Sequence, residues 1–267
     1  KSNYSGMPQS VLEEVVVLPF NDLGRTREIL ERNKGNLAAV LIDLMPSRPG
    51  LIPLSDAYVK LLNEYCVANN TLLISDEVLN FRLHYNGAAH RFGLKPDITT
   101  LGKIIGGGFP IGAVGGRDEI MAVFDNTEGA LVPQGGTFSA NPVSMVAGQV
   151  SMMHMDEGEY DRLEKLGDYA REKINETAAL NRVPFSVTGL ASLLRIHPKG
   201  KSPGTYVEFA QSADQKQAMA TLYDELVARG ILISNTGLLA LSTPMTATDI
   251  DHLVEQLDKI FSNWKTD

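Results

Sequence analysis

Lys103 is the residue of this sequence whose surroundings are best suited to covalent chemistry. It follows the strand-like run at residues 98–101 and a glycine, and three more glycines occupy residues 106–108. A lysine at the end of a buried strand loses hydration, which lowers the pKa of its amine and makes the amine nucleophilic. Such an amine can form a Schiff base with a carbonyl cofactor, and glycines let the backbone pass close to a bulky ligand or turn sharply.

The Lys103 segment could also be a phosphate-binding loop or a glycine turn with a solvent-exposed lysine. A phosphate-binding loop places its glycines before the lysine and a Ser or Thr directly after it. Here Ile104 follows Lys103, so the pattern disfavours a nucleotide loop. A lysine that simply reaches solvent above a glycine turn explains the segment equally well when the segment is taken alone.

Asp76 ends a second apolar run, at residues 72–75, and Glu77 follows it. Buried aspartates are rare unless they are paired. Because ligands of parallel sheets collect outside the carboxyl ends of the strands, Asp76 and Lys103 would face one crevice. An aspartate opposite a lysine that carries pyridoxal would keep the pyridine nitrogen protonated, so that the ring can take up the electrons of a substrate carbanion. Taken alone, Asp76 could equally cap the next helix or pair with Arg82.

A polar turn at residues 135–142 contains Gly136 and Thr137 and precedes a helical run that starts at Val143. Its hydroxyl and its free backbone N–H groups could hold phosphate oxygens. Without further context, an ordinary helix entry is the stronger interpretation of this turn.

Short β-branched runs alternate with helical patterns in the first part of the chain, which predicts an α/β fold with a mostly parallel sheet. Ser55 is placed to cap a helix between the second and third predicted strands. The predicted strands lie at residues 15–18, 38–42, 71–75, 98–101 and 112–115. We assign residues 1–155 to a large domain, and residues 156–267 to a linking helix and a smaller α+β domain.

The smaller domain is predicted from its helical and strand-like patterns. Helical spacing occurs near residues 160–179 and 219–226, and strand-like runs occur at residues 185–196, 231–233 and 238–241. The last helix has the clearest pattern, with apolar residues on one face from Ile250 to Trp264. Thr248 and Asp251 are predicted to form the capping box at its start.

Composition disfavours several classes of function. Of the 267 residues, 24 are Lys or Arg and 32 are Asp or Glu, so the formal net charge is −8, which argues against nucleic-acid binding. No run approaches the roughly 20 apolar residues that a membrane-spanning helix needs, and no cluster has metal-ligand spacing. The single cysteine, Cys66, favours a reducing, cytoplasmic location. Because Lys1 is not an initiator residue, we expect the chain to be the C-terminal part of a longer gene product.

Together, these segments resemble the class III aminotransferases, which depend on pyridoxal 5′-phosphate (PLP), and in particular the branch of glutamate-semialdehyde aminomutases and β-amino-acid transaminases. The similarity runs from about Val15 to the C-terminus. It is most specific over residues 75–148, which contain a Thr-Leu-Gly-Lys-x-Ile-Gly-Gly-Gly stretch. The resemblance implies PLP fold type I, in which a large domain with a mostly parallel sheet is followed by a smaller α+β domain.

The resemblance also implies a role for each candidate residue. Lys103 would carry PLP as an aldimine and later move a proton between the substrate carbon and the cofactor. Asp76 would contact the pyridine nitrogen, and Val78 would pack against a face of the ring. Thr137, in the same turn as Gly136, would bind the cofactor phosphate of a neighbouring subunit, which implies a homodimer with sites completed across its interface.

Two departures from the family pattern bear on these roles. The Ser-Gly-x-Glu-Ala turn that grips the phosphate and the aromatic-His-Gly segment that stacks on the ring do not occur in these 267 residues. We expect the longer gene product to supply both. Asp43 and Leu44 stand where the family usually has Glu-Pro, so that the charge is kept and the proline is lost.

Three functions are compatible with this sequence. The leading one is transamination, in which an amino group moves from an amino acid to a keto acid or aldehyde in two half-reactions. The second is a glutamate-semialdehyde type of aminomutase, which moves the amino group within one molecule. The third is a cofactor-free dimerising fragment.

The spacing from Val78 to Gly87 matches the β-amino-acid transaminases, whereas Thr236 stands where some of these enzymes have an arginine.

Overall fold

A four-stranded sheet holds Asp76, Val78 and Lys103 at one edge. The computed structural model describes residues 6–127, 129 and 131–264. In this range the first sheet has the strand order β1 (Ala39–Ile42), β2 (Leu72–Asp76), β3 (Ile98–Gly102) and β4 (Gly112–Gly116). The first three strands run parallel, and β4 runs antiparallel to β3. The predicted α/β fold with a mostly parallel sheet is therefore confirmed.

Helices connect the parallel strands, as crossovers between such strands require. The predicted cap is confirmed, because the Ser55 hydroxyl accepts a hydrogen bond from the Tyr58 N–H (3.3 Å). The helices of this part are α1 (Gln9–Glu13), α2 (Leu23–Arg32), α3 (Asp56–Asn69), α4 (Gly87–Phe92), α5 (Asp118–Met121) and α6 (Pro142–Met153), with short 3₁₀ turns at Asn80–Leu83, Lys103–Gly106 and Ala122–Phe124.

Residues 15–18 do not form the predicted strand. Val15, Val16 and Val17 are exposed, and none of the described strands pairs with them. The prediction rested on three successive β-branched residues, but β propensity alone does not supply the hydrogen-bond partner that a strand needs.

A second, antiparallel sheet follows in the C-terminal part, with the order β5 (Ser186–Leu190), β6 (Leu193–His197) and β7 (Leu238–Ala240). The helices of this part are α7 (Glu157–Leu180), α8 (Tyr206–Phe209), α9 (Ala213–Ala228) and α10 (Ala247–Phe261). Residues 231–233, predicted as a strand, pair with none of the described strands. The N–H of Ile231 bonds back to the carbonyl of Leu226 instead (2.9 Å).

The capping box of α10 lies two residues before the predicted pair. Thr246 and Asp249 form it, and the Thr246 N–H donates to Asp249 Oδ2 (2.8 Å). Asp251, the predicted partner, instead accepts a hydrogen bond from the Tyr169 hydroxyl on α7. The helix therefore begins earlier than its apolar pattern suggested.

Two apolar cores stabilise the described chain. One lies between the first sheet and helices α2, α3 and α4, and it also includes Ala191 and Leu193. The other lies between the second sheet and helices α7, α9 and α10, where Phe185 stacks on Phe261 with ring centroids 5.0 Å apart. The domain boundary between residues 155 and 156 stays a prediction. None of the described helices is both long and apolar enough to span a lipid bilayer.

Candidate active site

Lys103 starts the 3₁₀ turn that directly follows β3. Its backbone is left-handed, with φ +50°, a conformation that costs a non-glycine residue on the order of 1 kcal/mol or more. The side chain is exposed, so the described residues do not dehydrate the amine as the sequence suggested. Lys103 lines a cavity of about 520 Å³ together with Val78, Arg82 and Phe109, a size typical of small-molecule sites.

Asp76 is the last residue of β2 and lies opposite Thr100 on β3. Its Oδ1 accepts hydrogen bonds from the Val78 N–H (3.0 Å) and from Thr100 Oγ1 (3.4 Å). The alternative pairing with Arg82 is not present: Arg82 Nε donates to Ser192 Oγ (2.9 Å), and its Nη2 donates to the carbonyl of Leu241. Asp76 is therefore held at the carboxyl edge of the sheet by the Val78 backbone and the Thr100 hydroxyl, and not by Arg82.

Val78 connects Asp76 to the cavity that contains Lys103. Its N–H bonds to Asp76, and its side chain lines the cavity. A Cβ added to Gly102 would lie 3.3 Å from Val78 Cγ1. The glycine thus lets the valine approach the end of β3 closely, and Val78 links Asp76 to the cavity that Lys103 lines.

Gly136 and Thr137 lie elsewhere. Both are exposed, and Gly136 lines a second cavity, of about 930 Å³, together with Ser139 and Asn141. This turn is also a helix entry, because Asn141 Oδ1 accepts from the N–H groups of residues 143 and 144 at the start of α6. The described residues do not bring the turn to Lys103.

Glycines hold the Lys103 turn against α6. A Cβ at Gly148 would lie 2.1 Å from the carbonyl oxygen of Ile105, and one at Gly107 would lie 2.3 Å from that of Ala147. Gly107 also has φ +57°. The glycines after Lys103 therefore serve a sharp turn and a close helix approach, which fixes where the lysine emerges.

Glu77, the second carboxylate of the Asp76 segment, is buried and belongs to the fold. It accepts hydrogen bonds from the N–H groups of Ala88 (2.6 Å) and Ala89 (3.0 Å) in the first turn of α4. This arrangement satisfies helix donors that would otherwise be unpaired. A Cβ at Gly87 would lie 2.7 Å from Glu77 Oε2, so the glycine makes room for the carboxylate.

Asp43 is a charged residue of this edge to which the sequence assigned no role. It follows β1, and its Oδ1 accepts from the Met45 N–H (3.0 Å) and from the Asn80 amide. Burial raises the pKa of Asp43 to about 6, and it interacts with the charges of Asp76 and Lys103. Among the described residues, no group of three or more His, Cys, Asp or Glu side chains is arranged to hold a metal ion.

Residues 7–262 match the family described as aminotransferase class-III. The chain belongs to the class III aminotransferase family. A glutamate-1-semialdehyde 2,1-aminomutase from Methanococcus vannielii is 35% identical over 232 residues, which cover 86% of this chain and 53% of that protein. The chain thus spans about half the length of the curated relatives it matches.

Solved structures give the same family and confirm PLP fold type I for this class III aminotransferase. An omega-transaminase from Sphaerobacter thermophilus matches with a TM-score of 0.94 and 41% identity, covering 98% of this chain and 60% of that one. A beta-phenylalanine aminotransferase from Variovorax paradoxus matches with a TM-score of 0.86 and 32% identity, covering 92% and 56% respectively. Class III aminotransferases depend on PLP.

Proposed function

We propose that this class III aminotransferase catalyses PLP-dependent transamination, moving an amino group between an amino acid and a keto acid or aldehyde. The observation that carries the proposal is that Lys103 and Val78 line one cavity while Asp76 bonds to the Val78 backbone. PLP fits these residues, because they offer an amine, an apolar side chain and a carboxylate at one sheet edge.

Each residue then has a defined task. PLP, when bound, supplies an electron sink for the charge that develops at the substrate carbon. Lys103 Nζ would hold the cofactor through its amine and, when freed, would serve as the group that accepts and returns a proton at the substrate carbon. Asp76 would hold the pyridine nitrogen, and its hydrogen bonds from Val78 and Thr100 fix its orientation. Val78 would offer its apolar side chain to the ring.

We assign Gly136 and Thr137 to the phosphate of a second copy of the chain, so that the protein acts as a homodimer. Both residues are exposed, and Gly136 lines a cavity apart from Lys103, which supports this assignment. An exposed apolar stripe on α6, at helical spacing, also supports an interface. It consists of Val143, Val146, Val150 and Met153. We place the protein in the cytoplasm, since its one cysteine, Cys66, is buried and unpaired.

Two relatives support candidates for the substrate class. The beta-phenylalanine aminotransferase is 32% identical, which favours a β-amino acid as the amino donor. The curated relative at 35% identity is an aminomutase, so intramolecular amino transfer on glutamate 1-semialdehyde is the second candidate function. A cofactor-free dimerising role would require that Lys103 takes no cofactor.

The first experiment tests the cofactor and the lysine. The purified protein with added PLP is expected to show a visible absorption band, and borohydride reduction followed by peptide mapping is expected to place the adduct on Lys103. Lys103→Ala should lose both signals. Lys95→Ala is the matched control, because Lys95 is exposed before β3, at the opposite edge of the sheet. An adduct on other lysines alone would overturn the proposal.

A second experiment separates the two reactions. The PLP-loaded protein is incubated with β-phenylalanine alone, and the amount of keto product released is measured per mole of PLP bound at Lys103. A transaminase should release one equivalent and stop until a keto acid is added. The aminomutase would be favoured if the protein converted glutamate 1-semialdehyde without a second substrate and released no keto product from an amino acid alone.

A further inference from the structure

Asp43 lies beside Asp76 at the carboxyl edge of the first sheet. It follows Ile42, the last residue of β1, and Ile42 is in register with Ser75, so the register places Asp43 level with Asp76. Two charged groups face it: Asp76 acts on it as a like charge and Lys103 as an opposite charge. Neighbouring strands lie roughly 4.8 Å apart, so charges at this edge influence one another's ionisation.

Asn80 is a partner that can serve both ionisation states of Asp43. It is fully buried, its amide Nδ2 donates to Asp43 Oδ1, and its own Oδ1 has no hydrogen-bond partner within the described residues. Nδ2 satisfies the charged carboxylate. A half-turn of the amide would instead present Oδ1, which can accept the proton of a neutral Asp43. The buried Asn80 amide can therefore donate to the charged carboxylate or accept from the neutral one.

We propose that Asp43 is a positioning residue of the Lys103 site and that Asn80 holds its carboxyl group in place. Asp43 gains or loses a proton there, and so sets the negative charge near Lys103 and Asp76. This inference rests on the proposed function and adds a residue to it. Burial raises the pKa of Asp43 to about 6, and Asp76 adds to the rise. The hydrogen bonds from Met45 and Asn80 and the charge of Lys103 oppose it.

The direction of the effect follows from the charges. An ionised Asp43 stabilises positive charge at the Lys103 end of the cavity, because opposite charges attract. When the carboxylate is replaced by a neutral amide of the same shape, the PLP-loaded site should lose that positive charge at a lower pH. A side chain that only packs would not shift this titration.

The test follows the visible absorption of the PLP-loaded protein across the neutral pH range. Asp43→Asn is expected to move the midpoint of the absorption change about one pH unit lower, and Asp43→Glu, which restores the charge, to bring it back. Asp97→Asn is the matched control. Asp97 lies at the opposite edge of the same sheet, accepts from the Leu73 N–H (2.7 Å) and pairs with Arg117 (3.2 Å), so its loss should leave the midpoint unchanged.

A second measurement does not need the cofactor. In the unloaded protein, infrared spectra should show the carbonyl band of a neutral buried carboxyl group that fades as the pH rises through about 6. This band should be missing from Asp43→Asn and present in Asp97→Asn. A band that persists in Asp43→Asn would overturn the inference.

The outcomes separate the inference from the function it rests on. If wild-type protein forms no PLP adduct on Lys103, the proposed function and the role of Asp43 both fail. If the adduct forms and Asp43→Asn titrates at the wild-type midpoint, only the role of Asp43 fails. A shift in Asp43→Asn that Asp43→Glu reverses supports both.

Discussion

The two sheets of this chain differ in how completely the chain covers them. All five residues of β6 are buried, and helices α7, α9 and α10 enclose the core beside it. All five residues of β4 are exposed, three of them are glycines, and the neighbouring α6 carries an apolar stripe that faces solvent. The C-terminal sheet is thus enclosed by its own helices, whereas the part that carries Lys103 leaves β4 and the α6 stripe exposed. Substitutions should therefore separate stability from function by region.

The largest expected effect is a loss of stability in the C-terminal core. Phe261 is 1% exposed and stacks on Phe185, so Phe261→Ala should lower the free energy of unfolding by about 3–5 kcal/mol. Val67→Ala is the comparison in the first part, because Val67 is 84% exposed on α3, and it should change stability by less than about 0.5 kcal/mol. Denaturant unfolding measures both. Equal losses would show that the contrast between the two regions is wrong.

A smaller effect is expected where α6 meets the lysine turn. Gly148→Ala would place a methyl group against the carbonyl of Ile105, and only a backbone shift can relieve this clash, at a cost of about 1–3 kcal/mol. The shift should also displace Lys103 and weaken PLP binding. Gly158→Ala is the control, because its Cβ would meet only Asp156 Oδ1, at 3.4 Å. PLP titration by absorption gives the readout, and unchanged PLP affinity in Gly148→Ala would mean that α6 does not fix the turn.

One desolvated titratable group in each region should give pH dependences of opposite sign. Burial raises the pKa of Asp43 to about 6 and lowers that of His197 to about 4. Asp43 therefore destabilises the fold as the pH rises from about 4 to about 6, and His197 destabilises it as the pH falls from about 6.5 to about 4.

The measurement is stability against pH in matched variants. Relative to wild type, Asp43→Asn should gain about 1–3 kcal/mol as the pH rises from about 4 to about 6. His197→Gln keeps a polar partner for Thr188, which lies 2.6 Å from His197 Nε2. It should remove the destabilisation on the acid side by a similar amount. If the stability of each variant followed the same pH dependence as that of wild type, Asp43 and His197 would not be the groups responsible.

Local signals in the sequence were sufficient for elements whose patterns repeat. The helix around residues 160–179 became α7, and the cap at Ser55 is present, because apolar periodicity and capping depend on neighbouring residues. The same signals could not choose between Thr246 and Thr248 as the start of α10, since each has an aspartate three residues later. A distant contact, from Tyr169 to Asp251, distinguishes them.

The candidate site was predictable to the extent that strand order determines it. Parallel strands end at one edge, so the proximity of Asp76 and Lys103 follows from the sequence pattern. The environment of Asp43 does not, because Asn80 reaches it from 37 residues away. Arg82 likewise binds Ser192, 110 residues along the chain, rather than the nearby Asp76. Contacts of this range depend on tertiary packing that no local pattern contains.

The smallest effect on folding should come from the α6 stripe, and this prediction tests the partner surface directly. Val146 is 59% exposed, so Val146→Ser should change the free energy of unfolding of the monomer by no more than about 0.5 kcal/mol. If the stripe forms the proposed homodimer interface, the same substitution should raise the dimer dissociation constant about tenfold, since about 1.4 kcal/mol of lost apolar burial has that effect. Leu232→Ser is the control, because Leu232 is 84% exposed in the C-terminal part. Sedimentation measures both constants, and an equal loss of dimer in the two variants would place the interface elsewhere.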